Sequence, residues 1–222
     1  MKIGIITYNR PHFKTQELVS GLISAGYKNI TLIIKNFKIF KNKKKIIHLK
    51  HRPFEFTGPN YDELSKFYNL KIKLFKDSNY FKSLDIVLIG GAIIIEEEKI
   101  KKNFIINCHS GLIPETRGLD GLKWAIFNNK KVGTTLHYID KNVDDGKLIS
   151  HETTPIFRSD TFETFALRHY RQEINMLINF ENYLNYKKII KLSICDVTKR
   201  MPLKEERKIV KKFITWKKNF IK

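Results

Sequence analysis

The first 35 or so residues already commit the chain to parallel strands. Ile3-Gly4-Ile5-Ile6-Thr7 is a continuous apolar run closed by the polar Tyr8-Asn9-Arg10. Such a run suits a strand buried on both faces. Residues 15–25 then place Leu18, Leu22, Ile23 and Ala25 at helical spacing and end at Gly26, a helix with its stop signal. A second apolar run covers 30–34. Strand, helix and strand at this spacing read as a βαβ unit, and therefore as a mainly parallel sheet flanked by helices. Further strands are expected at 85–89, closed by Gly90-Gly91, at 104–107 and at 131–138, with a short helix at 62–68. Residues 162–186 carry Phe162, Phe165, Ala166, Met176, Leu177 and Phe180 at helical spacing. They predict one long helix packed on the sheet.

Composition bounds what such a domain does. The chain has 222 residues, 42% hydrophobic and 29% charged, which is ordinary for a folded soluble domain. No apolar run reaches the roughly 18–20 residues of a membrane span, and the N-terminus lacks the apolar core of a signal peptide. Two cysteines, Cys108 and Cys195, allow at most one disulfide, so a cytoplasmic setting is expected. The formal net charge is +20. It suits an anionic partner such as a phosphorylated small molecule, RNA or acidic lipid. The abundance of Lys, Ile, Asn and Phe also fits a compositional bias. Residues 187–222 hold 13 Lys+Arg against 3 Asp+Glu, a net of +10. Two parts are therefore expected: a main domain over 1–186 and a basic extension over 187–222. Within the extension, Val210, Phe213 and Ile214 are expected to line one side of an amphipathic helix.

Chemistry concentrates between 107 and 146. Asn107-Cys108-His109-Ser110-Gly111-Leu112-Ile113-Pro114 follows a strand directly, and ligands of α/β sheets sit at the carboxyl ends of strands. Asn107 and His109 are two apart, so in extended chain they project to one side while Cys108 projects to the other. Arg117 follows, and His137 leads into an acidic turn at Asp144-Asp145-Gly146. Three chemistries are open to these residue types. His109, His137, Asp144 and Asp145 could ligate a metal, although the arrangement matches no familiar metal spacing. Cys108 could act as a nucleophile, although a buried structural thiol fits its position better. Non-covalent acyl transfer would use Asn107 as oxyanion donor, His109 as acid/base and Asp144 as its partner.

The pattern Asn-x-His-x-Gly-x-x-Pro-x-x-Arg-Gly, then Gly133-Thr134-Thr135-Leu136-His137 and Asp144-Asp145-Gly146, resembles the 10-formyltetrahydrofolate-dependent formyltransferases. The resemblance extends from Ile3 to about Arg168. One departure is Gly111, where many members have Ser. The resemblance implies a Rossmann-like core with formyl folate, the cosubstrate, lying across the strand ends. Asn107 would hold the formyl oxygen, His109 would move the proton and Asp144 would complete the set. The pterin would lie against Gly90, Gly91, Ala92 and Ile93 and near Val143, Asp145 and Gly146. Arg117, His137, Arg52 and Phe54 would line the acceptor side, and no metal would be required.

Four acceptors fit this family. The methionyl-tRNA enzymes share the Arg117-Gly118 pair but carry a sizeable C-terminal barrel, for which the 36 residues after 186 are too few. Glycinamide ribonucleotide enzymes match in length but usually lack the Arg-Gly pair. The formyltetrahydrofolate hydrolases carry an extra domain in front, whereas here a strand begins at Ile3. Enzymes that formylate a nucleotide-linked amino sugar, in surface glycan biosynthesis, combine the core, the Arg-Gly pair and a small variable C-terminal piece. That acceptor is the expectation, with a small molecule favoured over nucleic acid and a homodimer possible. A non-catalytic RNA- or membrane-binding relative is the contrasting expectation.

Overall fold

The computed structural model describes residues 1–37, 49–76, 78–91, 95, 105–139, 147–184, 190–191 and 196–221. The chain builds β1 (Lys2–Tyr8), α1 (Phe13–Ser24), β2 (Asn29–Lys35), α2 (Tyr61–Tyr68), β3 (Lys71–Leu74), α3 (Ser78–Phe81), β4 (Ile86–Ile89) and β5 (Ile105–His109). It continues with α4 (Gly121–Phe127), β6 (Gly133–Tyr138), β7 (Lys147–Thr153), α5 (Phe162–Ile178), α6 (Phe180–Leu184), β8 (Ile190–Lys191), α7 (Leu203–Glu206) and α8 (Ile209–Phe220).

One sheet runs in the order β3-β2-β1-β4-β5-β6-β7-β8. The first five strands of that order pair in parallel, and β6, β7 and β8 add on antiparallel. The expected α/β architecture with a mainly parallel sheet is therefore present. The chain order reverses between β1 and β4, so a crevice opens outside their carboxyl ends. Tyr8, Gly90 and His109 close β1, β4 and β5 on that side.

Continuous apolar runs became strands buried on both faces. Ile3, Ile5, Ile6, Leu32, Ile33, Val87, Leu88 and Ile106 are fully buried. α5 buries Phe162, Phe165, Ala166, Tyr170, Ile174, Met176 and Leu177; Met176 and Leu177 join the core of the apolar strands, and Phe162, Phe165 and Ala166 pack with residues of α4 and α8. Its start is fixed by Thr161 and Thr164, each side chain capping the other's backbone N–H, a reciprocal cap of two otherwise unpaired donors. The long helix expected over 162–186 is interrupted at Asn179, and α6 continues as a separate short turn.

The outer C-terminal helix corrects one expectation. Ile209, Phe213 and Trp216 form its buried face, with Phe213 and Trp216 stacked beside Phe165. Val210 and Ile214 point outward, at 45% and 53% exposure. The 3.6-residue period places 209, 213 and 216 together and turns 210 and 214 away. Among the described residues no helix is long and apolar enough to cross a membrane.

Candidate active site

β5 and β6 bring the central polar residues together. In their antiparallel register Asn107 lies opposite His137 and His109 opposite Thr135. The alternation expected from sequence holds: Cys108 is buried on the opposite face, with Sγ 3.9 Å from Met176 Sδ. Burial raises the Cys108 thiol far above its ordinary range, which removes the thiolate a nucleophile needs.

Hydrogen bonds assign the imidazoles. His137 is fully buried, and its Nδ1 lies 3.0 Å from the Tyr138 carbonyl. A carbonyl only accepts, so Nδ1 carries the proton. In the neutral ring Nε2 then accepts from Asn107 Nδ2, 3.3 Å away. This fixes which end of the Asn107 amide faces inward. The second N–H of the same nitrogen is a donor of the kind an oxyanion requires. His109 is 6% exposed and donates from Nε2 to the Thr116 carbonyl at 2.7 Å. Its Nδ1 is then the basic nitrogen of the neutral ring.

Gly111 has a local reason. A Cβ at this position would lie 2.5 Å from the Thr116 carbonyl oxygen and 2.9 Å from His109 Nε2. The bond between them needs that space. Thr135 secures the same turn, donating to the Gly111 carbonyl at 2.6 Å and accepting from the Ile113 N–H at 3.0 Å. Sequence reasoning passed over Thr135 and Thr116. For Thr135 the signal was present, because it stands two residues before His137 and so shares its face.

The remaining expected site residues distribute differently. Gly90 and Gly91 both donate their N–H to the Ile6 carbonyl at 2.9 Å. The space a Cβ at Gly91 would take is occupied by the Tyr8 ring at 2.6 Å and His12 at 3.1 Å. The Tyr8 ring therefore packs closely against this glycine. Burial, aided by Lys14 and Arg52, lowers His12 to about 3, so it stays neutral. Arg117 is buried and follows Thr116 directly. Arg52 is held by Glu173: its Nη2 contacts Oε1 at 3.0 Å and Oε2 at 3.1 Å. Phe54 is 60% exposed with φ of +60°. Ala92, Ile93, Val143, Asp144, Asp145 and Gly146 lie outside the described residues. Among the described residues no group of three or more His, Cys, Asp or Glu is arranged to hold a metal.

Fold and site together define an α/β protein with an amide and an imidazole converging at the carboxyl end of its last parallel strand. Residues 86–180 match the family described as Formyl transferase, a span that holds β4 through α5 and the polar residues of β5 and β6. A methionyl-tRNA formyltransferase of Thermodesulfovibrio yellowstonii is 28% identical over 178 residues, covering 75% of this chain and 54% of that protein. A phosphoribosylglycinamide formyltransferase of Haemophilus influenzae is 32% identical over 101 residues, covering 43% and 48%. The chain thus spans about half the length of these two relatives. An N-formyltransferase of Helicobacter canadensis, solved with folinic acid and dTDP-3-aminofucose, superposes with a TM-score of 0.65 at 17% identity, covering 92% of this chain and 72% of that one.

Proposed function

We propose that the protein transfers a formyl group from 10-formyltetrahydrofolate to a primary amine, and that the amine belongs to a nucleotide-linked amino sugar. The observation that carries the reaction is the Asn107–His137 pair beside His109 at the end of β5. An amine attacking a formyl carbon must lose a proton, and the tetrahedral intermediate carries an oxyanion. Asn107 supplies the donor for that oxygen and His109 Nδ1 takes the proton, with Asp144 as its partner; collapse of the intermediate breaks the formyl C–N10 bond, and the same proton passes to the departing tetrahydrofolate nitrogen. The pterin lies between the ends of β4 and β5, along 90–93 and 143–146, while Arg117, Arg52 and Phe54 line the acceptor side. The chemistry resides in 1–186 and the basic extension 187–222 serves the acceptor's phosphates. The setting is cytoplasmic, and nucleic acid is not favoured as a partner.

Support for a sugar acceptor comes from the resemblance in fold to N-formyltransferases such as the Helicobacter canadensis enzyme, and the Arg117-Gly118 pair speaks against the ribonucleotide acceptor. The test is a panel of amines offered with 10-formyltetrahydrofolate: nucleotide-linked 3-amino and 4-amino sugars, glycinamide ribonucleotide and methionyl-tRNA. Turnover with a sugar alone is expected. Turnover with the ribonucleotide or the tRNA would reassign the acceptor and keep the chemistry, and silence across the panel without folate binding would sink both. Asn107→Ala is expected to lower the rate by about 10²–10³, as loss of an oxyanion donor does, and His109→Ala and Asp144→Ala by about 10²–10⁴, the range of acid–base catalysis. Near wild-type rates in all three would refute the site.

A further inference from the structure

The C-terminal segment 196–201 grips the turn that carries the His109 partner. Thr198 donates its backbone N–H to the Arg117 carbonyl at 2.8 Å, and its hydroxyl reaches the same oxygen at 2.7 Å. A carbonyl oxygen has two lone pairs, so one residue engages both. The Thr198 carbonyl in turn accepts from the Leu119 N–H at 2.9 Å, and the hydroxyl proton is shared with the Leu119 carbonyl at 2.9 Å. Two residues further on, Asp120 accepts from Arg200 Nη1 at 3.1 Å and from the Met201 N–H at 2.9 Å.

Gly118 marks the crossing point. Its φ is +98°, and a Cβ there would lie 2.5 Å from the Thr198 carbonyl oxygen. Any other residue is strained at that φ and collides with backbone. The Arg-Gly pair therefore records where the C-terminal segment passes over the turn. The Arg117 carbonyl belongs to the peptide group next to the Thr116 carbonyl, which receives the His109 Nε2 proton. On its other side the turn is held by Thr135 and by the Thr116 N–H on the Leu112 carbonyl at 2.9 Å.

We propose that Thr198 is a positioning residue for His109: by fixing the peptide groups of 117–119 it holds the Thr116 carbonyl on Nε2, and so holds Nδ1 as the basic nitrogen facing the reaction. This inference rests on the formyl-transfer reading. It gives the C-terminal segment a part in the chemistry beyond the phosphate contacts proposed above.

Thr198→Val, Thr198→Ser and Thr198→Ala in the full chain test it, with ¹⁵N-histidine NMR at a pH where His109 is neutral and His109→Asn to assign its signals. Wild type and Thr198→Ser should show the Nε2–H tautomer. Thr198→Val should show a mixture, with kcat about tenfold lower and both KM values within about twofold. Thr198→Ser should return kcat to within about twofold of wild type. Misplacing a catalytic group by about 1 Å is enough for losses of this size or larger. Thr198→Ala takes the place of the valine variant if that variant does not fold. An unchanged tautomer signal, with kcat within twofold of wild type, overturns the proposal. So does a loss of kcat and thermal midpoint that the serine variant does not reverse, because that is a role in folding alone. The NMR readout stands even where no amine in the panel is turned over, which separates failure of this inference from failure of the formyl-transfer reading.

Discussion

Two buried ion clusters tie the helices and connecting segments around the sheet to one another, one at α1 and the other at α4, but the two clusters balance charge differently. On the parallel side Lys14 of α1 and Arg52 converge on Glu173 of α5, with Lys14 Nζ 2.6 Å from Oε1. Two cations share one fully buried carboxylate there, and Arg52 also reaches the half-buried Glu55, Nη1 to Oε1 3.8 Å. On the other side Lys123 of α4 meets Glu206 Oε1 at 2.5 Å and Asp120 Oδ2 at 3.4 Å, while Arg200 contacts Asp120 Oδ1. Two cations face two carboxylates. Each cluster joins segments far apart in sequence, 159 residues for Lys14–Glu173 and 83 for Lys123–Glu206. A buried charge without a partner costs several kcal/mol, so the cluster with a single fully buried anion has less to fall back on: without Glu173, Arg52 keeps only the half-buried Glu55 among these carboxylates and Lys14 keeps neither.

Glu173→Ala is therefore expected to have the largest effect, a loss of about 4 kcal/mol, as for a broken buried pair. Urea unfolding measures it, and a loss under about 1 kcal/mol would show that Lys14 and Arg52 find water. The same carboxylate predicts a pH dependence. Burial works to raise Glu173, but the Arg52 guanidinium and the Lys14 ammonium outweigh it and hold the group at about 2. A depressed carboxylate stabilises fully above its ordinary value of 4.5 and loses that contribution as pH falls toward about 2. Thermal midpoints should fall across that window in the wild type and fall less in Glu173→Gln.

Lys123→Met is expected to cost somewhat less, about 3 kcal/mol, because Asp120 keeps Arg200 and the Met201 N–H. Adding Glu206→Leu should recover most of the loss, since a buried pair replaced by apolar groups is often neutral. A double variant no more stable than the single one would mean that the pair is not the unit. The smallest effect is expected at Phe67, which is 81% exposed. Phe67→Ser should change stability by no more than about 0.5 kcal/mol, and a larger loss would reveal a contact this surface makes in solution.

Much of the site could be read along the chain, and its supports could not. Asn107, His109 and His137 stand at strand spacings, so a period of two is enough to set which way each one faces. Thr135 was legible by the same rule. The Thr116 carbonyl was not, because backbone groups carry no letter in the sequence. Arg52 shows a partner that no local spacing indicated. Its type suits an acceptor pocket, but a buried Glu173 from 121 residues away engages it. Strands β3 and β7 escaped as well. β3 is an edge strand of four residues with little burial, and β7 alternates burial weakly, so neither shows the apolar run that marks a central strand.

Local pattern determined the βαβ start, the parallel character of the sheet, the cap at Thr161 and the face shared by Asn107 and His109. Each depends on neighbours within a few positions, where period and side-chain type decide. Tertiary structure decided the antiparallel addition of β6, β7 and β8, the charge balance of the two buried clusters and the passage of Thr198 over Gly118. The long-range ion pairs and the Thr198 contacts bring together residues about 80 to 160 positions apart. Their geometry follows from how whole elements pack, and no short-range spacing encodes it.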